Sequence, residues 1–272
     1  MSMQEQQAVS GFRWWEPCEV PVGEARRWRI GALELFVART HEGWLVQGTE
    51  HARGEAEAPP LVVAEPIPWE PDNSTAEVVK YKLSSLSERL ELRPALADRP
   101  VVSRPRMPFS IVAGARTTVY VGTPLWLELR CGDDALKLCE LPLMRPPQTW
   151  FGSSTWEGEL CYAGWTHCRT DASEIPLRPW RAITPLRMVN QGDDGWLLDR
   201  VVLPVPQLPL FAAPDGRLWT SGLDVSRDTE GNVGDIEVHR GEPVDAGPWT
   251  ELARPRRTGS RSLLGRFYGK LF

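Results

Sequence analysis

Only four histidines (His41, His51, His167 and His239) occur in 272 residues, so general bases of the commonest kind are scarce. No stretch reaches ~18 uninterrupted apolar residues. The greasiest, VVLPVPQLPLFAAP, is cut by Pro204, Pro206, Pro209 and Pro214 and cannot form a membrane helix. The opening MSMQEQQAVSGFRWWEP has neither a basic leader nor an apolar run, which predicts no secretory signal. No G-x-S-x-G elbow, G-x-G-x-x-G or phosphate loop occurs; GRFYGK is one residue short of the last and lacks the strand that should precede it. The expectation is a non-enzyme without cofactor or metal. The five cysteines (Cys18, Cys131, Cys139, Cys161, Cys168) are odd in number and cannot all pair. Reduced thiols in a cytoplasmic protein are therefore expected, and the basic tail described below places that protein, as an expectation, peripherally at the inner face of the membrane.

What is abundant is tryptophan, with 13, and proline, with 25. Tryptophan brings large buried area with one donor to satisfy, and proline marks strand ends and edges. The chain reads accordingly. RWRIGALELFVART, HEG and WLVQGT predict a strand, a tight turn and a strand, with Leu33, Leu35 and Val37 alternating against their neighbours. AEVVKYKL, SERLELR, FSIV, TTVYVG, PLWLELRC and ALKLCELPL continue the two-residue period, with a turn at GDD. LFAAPDGRLWTSGLDV predicts a hairpin turning at Asp215-Gly216, and DIEVHR a last short strand. Nothing between Phe12 and Trp249 runs long with a 3.6-residue period. The fold class expected is all-β, an antiparallel sandwich or barrel divisible into two subdomains. The divisions expected are a disordered 1–11, β subdomains 12–103 and 104–252, and a basic tail 253–272.

A partial repeat runs through the second half. Thr123-Pro124-Leu125 recurs as Thr184-Pro185-Leu186, Gly132-Asp133-Asp134 as Gly192-Asp193-Asp194, and Leu141-Pro142 as Leu203-Pro204, at offsets of 61, 60 and 62. On this pattern RAITPLRMVNQ, GDD and GWLLDRVVLPV predict a second hairpin like the first. Duplication of a β unit and the ordinary Gly/Asp richness of turns both account for the recurrence, and the second is favoured.

Candidate chemistry is thin. GELCYAGWTHCRT holds a local His/Cys cluster, but no cysteines have the C-x2-C spacing of a zinc site. Alternation puts Cys161, Ala163, Trp165 and His167 on one strand face and Cys168 on the other, so buried thiols and an exposed imidazole are preferred. Ser226, Asp228, Glu230, Gly231 and Glu237 fall at the first, third, fifth, sixth and twelfth places of a calcium loop. Strand-like flanks favour a solvated acidic hairpin loop instead. Glu157 and Glu159 share a strand face as exposed carboxylates. Trp28, Trp44, Trp126, Trp196 and Trp219 accompany alternating apolar neighbours and are expected in the core. FRWWEP and STWEGE are the places expected to display tryptophan, as a carbohydrate-binding module would.

The tail differs from the body. From Arg254 to Phe272 there are six basic residues (Arg254, Arg256, Arg257, Arg261, Arg266, Lys270) and no acidic one. The chain carries -5 in all, so the rest carries -11 once the tail's +6 is removed. An acidic body argues against nucleic acid. On a helical wheel Leu263, Leu264, Phe267, Tyr268 and Leu271 form one arc, with Arg266 and Lys270 opposite. Gly265 and Gly269 cost about 1 kcal/mol each, so this segment needs a surface to fold against: its own body, an anionic lipid surface or a partner's groove. As one of several copies in an oligomer, or beside a membrane protein, it would anchor better than alone.

WRIGALELFVARTHEGWLV, SRPRMPFSIVAGARTTVYVGTPLWLEL, MRPPQTWFGSSTWEGELCY and RAITPLRMVNQ resemble the prokaryotic domain-of-unknown-function family 432. The likeness spans most of Arg27 to Val205, including Arg104-Pro105 to Leu129, with Ala113-Gly114 at the turn, and Gln148 to Tyr162. The resemblance transfers no catalytic residue. It implies a soluble accessory subunit or regulator held against a membrane channel of the small-conductance mechanosensitive kind. The tail's own basic and apolar pattern makes Arg254, Arg256, Arg257, Arg261, Leu263, Leu264, Arg266, Phe267, Lys270 and Leu271 the expected docking segment.

Overall fold

The alternation in LELFVART becomes a strand because Leu33, Leu35 and Val37 fall on one side and are buried, while Glu34 and Phe36 are half-exposed. The computed structural model describes residues 13–50, 62–68 (as backbone), 77–83, 87–152, 154–234, 236–239, 241–243 and 247–258. The expected disordered 1–11, His51 and the tail beyond Thr258 lie outside these residues. Within them the chain is essentially all-β, in several mostly antiparallel sheets, as expected. Contacts group it as Met1–Ala95 with Leu125–Arg145, and Leu96–Pro124 with Pro146–Phe272. This differs from a single cut between Ser103 and Arg104. The reason is one sixteen-residue strand, Arg116–Cys131, read from the sequence as two. Arg116–Pro124 pairs with Arg181–Asn190, and Trp126–Cys131 with Leu136–Pro142, so one strand serves both units.

The first unit is built on an antiparallel sheet ordered Val62–Pro68, Glu24–Ile30, Leu33–Thr40, Gly43–Glu50, Val78–Lys82. One correction applies here: RWRIGALELFVART is two strands rather than one. The chain reverses at Gly31, whose φ of 61° suits a residue without Cβ, and the N–H groups of Ala32 and Leu33 donate to the Leu143 carbonyl. Trp28, Trp44, Val46, Leu90, Leu92, Leu127 and Leu129 fill the core. Arg39 is buried with them, at 1% exposure. Its Nη1 donates to the carbonyls of Thr40 and Gly43, each at 2.9 Å, and its guanidinium lies 5.1 Å from the Trp44 ring centroid. Those bonds and the cation–π contact are what allow a charge there.

In the second unit Arg181–Asn190 is central. It pairs antiparallel with Arg116–Pro124 and parallel with Leu218–Thr220 and Leu223–Arg227. Leu210–Ala212 and Leu218–Thr220 form the expected hairpin at Asp215-Gly216, and Thr250–Ala253, a strand absent from the sequence reading, adds beyond Leu210–Ala212. A four-stranded sheet runs Gln148–Phe151, Glu159–Thr166, Val101–Pro105, Val201–Leu203.

The second predicted hairpin is also corrected. Trp196–Leu198 pairs with Phe109–Ile111, not with Arg181–Asn190. Buried Asn190 decides this: its Nδ2 donates to Ile111 O at 2.9 Å, Val112 O at 3.3 Å and Asp194 O at 2.8 Å, which turns the chain into another sheet. The Thr-Pro-Leu recurrence nevertheless has a structural counterpart. Thr123 and Thr184 lie on neighbouring strands with Oγ1 atoms 2.7 Å apart, and Thr220 Oγ1 donates to Thr184 at 2.9 Å. All three are fully buried. A second cluster packs edge-to-face: Tyr120 on Trp219 at 5.9 Å, Trp219 on Trp249 at 5.7 Å and Phe211 on Trp249 at 6.5 Å. Much of the chain's tryptophan is spent in cores of this kind.

Candidate functional site

The charged face of the second unit brings together residues far apart in sequence. Thr118, Arg187, Asp224 and Glu237 stand opposite one another across four strands, beside a groove of about 450 Å³. His239 joins them. Its Nε2 bonds Asp224 Oδ2, and its Nδ1 lies 3.3 Å from Arg187 Nη2. A guanidinium can only donate, so Nδ1 accepts and the ring proton sits on Nε2, given to Asp224. Both ring nitrogens thus have a hydrogen-bond partner. The arrangement ties the strands Leu223–Arg227 and Arg181–Asn190 together.

The expected acidic loop also has its strand flanks, Leu223–Arg227 and Glu237–Val238. Asp228 accepts the N–H of Asn232 at 2.8 Å and of Glu230 at 2.9 Å, and Asn232 Nδ2 at 3.2 Å. These bonds, the Asn232 backbone N–H foremost, hold its carboxyl below the usual range. Its oxygens close a turn rather than point at a ligand. Among the described residues no three His, Cys, Asp or Glu side chains gather to hold a metal ion.

In the other candidate cluster Cys161 and Cys168 are buried and His167 is exposed. Burial pushes the Cys161 thiol up to about 12, helped by Glu159, and the Cys168 thiol to about 11 against the opposing hydrogen bond of Thr166. A thiolate is the reactive form, so both are expected to resist iodoacetamide at pH 8 in the folded protein and to label on unfolding. The linkage has a definite sign. Unfolded thiols ionise near 9.0 and folded ones higher, so the folded state retains protons and stability falls as pH rises from 9 toward about 11 to 12. Urea midpoints between pH 8 and 10.5 check this; C161A/C168A should flatten the decline.

Exposed tryptophan is the remaining feature. Of the two segments expected to display it, FRWWEP does not: Trp14 is 2% exposed and packs edge-to-face on the half-buried Trp15 at 5.6 Å. STWEGE does, with Trp156 at 94% exposure. Trp150 at 48% and Trp165 at 55% were not foreseen, because each sits on a strand with apolar neighbours.

Trp156 stands at the tip joining Gln148–Phe151 to Glu159–Thr166. Ser154 Oγ accepts the N–H of Trp156 at 3.2 Å and of Glu157 at 3.0 Å, while Ser154 N donates to Glu157 O at 3.4 Å. Trp150 Nε1 donates to Ser154 O at 2.8 Å, which satisfies the indole and leaves its ring exposed. Leu160, 39% exposed, pairs with Trp150. The neck admits only glycine. A Cβ on Gly152 would lie 2.0 Å from Glu157 O, and one on Gly158 2.6 Å from Trp150 Nε1. The bracketing of Trp156 by Gly152 and Gly158 is a sequence signal for this closed neck that the reading of STWEGE did not use.

Three of the predicted docking residues are described. The strand Thr250–Ala253 delivers Arg254 to the surface, Arg256 Nε donates to Leu96 O at 2.7 Å, and Arg257 N donates to Pro206 O at 2.9 Å. Arg257 Nη1 lies 3.5 Å from Glu159 Oε1. Arg261, Leu263, Leu264, Arg266, Phe267, Lys270 and Leu271 lie outside the described residues. Among the described residues no helix is long and apolar enough to cross a membrane. No curated protein and no solved structure matches the chain. The family model Protein of unknown function (DUF432) matches residues 14–271 of 272, across all the segments that carry the resemblance, and the chain belongs to that family.

Proposed function

We propose that this chain is a non-catalytic accessory subunit that docks on a protein partner through the tryptophan hairpin Gln148–Thr166. One observation carries the reading: Trp156 is 94% exposed on a tip whose backbone is tied down by Ser154 and whose neck closes on two glycines. A freely exposed indole is costly to keep in water. Covering about 200 Å² of it at roughly 25 cal/mol per Å² recovers about 5 kcal/mol gross. Holding its backbone in place beforehand removes part of the ordering cost of binding, as in preorganised interface anchors. The partner proposed is a membrane protein, a channel of the small-conductance mechanosensitive kind, with the basic C-terminal segment adding contacts to the partner or to anionic headgroups.

Trp156→Ala is expected to leave the melting temperature within about a degree, the usual outcome at an exposed site, and to reduce co-purification of the membrane partner about tenfold, in line with loss of an anchor. Equal recovery of partner by the two proteins would overturn the reading. The exposure of Trp150 beside Trp156 also suits the second reading, a carbohydrate-binding module. Quenching of these two indoles by neutral polysaccharide, with no effect of Trp156→Ala on partner recovery, would favour it.

A further inference from the structure

The described chain ends beside the tryptophan hairpin. Thr258 follows Arg257, which is fastened at its backbone to Pro206 and reaches Glu159 with its side chain. Glu159 is the first residue of its strand; it follows Gly158 and pairs with Phe151, the residue before Gly152. The chain therefore leaves the body at the neck of the loop that presents Trp156. Fourteen residues follow, 259–272. They carry Leu263, Leu264, Phe267, Tyr268 and Leu271 on one helical arc, and Arg261, Arg266 and Lys270 with no acidic residue. The hairpin offers an apolar counterpart: Trp150 and Leu160 stand opposite each other and exposed on one face, with Trp156 bare at the tip, while Glu159 pairs with Phe151 on the other face and meets Arg257.

We infer that in the absence of a partner this surface is occupied by the chain's own C-terminal segment, residues 259–272. The proposal rests on the hairpin being an adhesive surface, as argued above, and adds how it is regulated. Length is sufficient. As a helix the segment spans about 21 Å, and from the neck the tip is only a few residues away. Tethering also favours this occupant. A short linker presents the segment at an effective concentration in the millimolar range, so an affinity too weak to hold a free peptide still covers the surface. A partner that binds the hairpin must displace the segment, and the displaced segment carries its basic charges outward to anionic groups near that partner.

The test uses protein labelled with 5-fluorotryptophan. Fluorine spectra are recorded for the full chain, for a chain ending at Thr258, and for the full chain with Phe267→Glu. Trp156→Phe and Trp150→Phe assign the two signals. Relaxation by a soluble gadolinium chelate reads their accessibility. The expected result is at least a threefold rise at Trp156 on truncation, a comparable rise with Phe267→Glu, and reversal when a synthetic 259–272 peptide is added at millimolar concentration. Equal relaxation of Trp156 in all three chains would overturn the proposal. Partner recovery separates this inference from the one beneath it. If truncation uncovers Trp156 while Trp156→Ala leaves partner recovery unchanged, the segment covers the hairpin and the docking reading fails. If Trp156→Ala abolishes recovery but truncation leaves Trp156 unchanged, the hairpin docks and this inference fails.

Discussion

Replacing Gly152 by alanine is expected to destabilise the protein by about 3 kcal/mol, the upper part of the range for overpacking a closed site, and to abolish the display of Trp156. The added Cβ would stand 2.0 Å from Glu157 O and 2.4 Å from Gly158 Cα. Both obstacles are backbone atoms, so no rotamer change relieves them. The neck must open, and the Ser154 N–Glu157 O bond and the pairing of Phe151 with Glu159 go with it. Gly164→Ala, one strand-length away, is the control: its Cβ meets only Val101 Cγ1, at 3.6 Å, an ordinary contact. Urea unfolding and partner recovery should separate the two variants. Gly152→Ala should lose both stability and partner, Trp156→Ala the partner alone, and Gly164→Ala neither. A stable Gly152→Ala protein that keeps its partner would show that the tip does not depend on its neck.

Thr184→Val is the second large effect, expected at about 2 kcal/mol. The hydroxyl at Thr184 sits between those of Thr123 and Thr220, none of them reached by water. Valine keeps the shape and strands the Thr123 hydroxyl without that bond, whereas Thr220 retains the Ser221 carbonyl at 3.0 Å. An orphaned buried hydroxyl costs more than the bond contributed, because its lost hydration is not replaced. The triple variant T123V/T184V/T220V is therefore expected to cost clearly less than the sum of the three single changes. Additive costs in chemical denaturation would mean that the hydroxyls act separately and that the Thr-Pro-Leu recurrence has no energetic role here.

Several elements were legible in the sequence because local chemistry decides them. The turn at HEG, the turn at Gly132-Asp133-Asp134, the hairpin at Asp215-Gly216 and the strand flanks of the acidic loop all follow from alternation and turn residues within a dozen positions. Where reading failed, a distant group intervened. Ile30 and Leu33 look like one continuous strand until Leu143 draws the N–H groups of Ala32 and Leu33 aside. Trp196–Leu198 looks like the return of a hairpin until Asn190 bonds Ile111 and Val112. The His239–Asp224–Arg187 contact had no motif, because Arg187 and Asp224 come from two strands and His239 from just beyond a third, and their pairing is set by the whole sheet.

Tryptophan marks the boundary most clearly. EARRWRI and ELCYAGWT alternate alike, yet Trp28 is 3% exposed and Trp165 is 55% exposed. FRWWEP and STWEGE look equally open, yet Trp14 is buried and Trp156 is bare. The sequence alone determined that the chain is all-β, where most of its turns fall and that its tail is basic and apolar, because period, turn geometry and charge are properties of neighbouring residues. Which indoles meet water was decided only by the tertiary structure, since a strand has two faces of equal grammar and burial depends on whether another layer of the protein comes to lie on one of them.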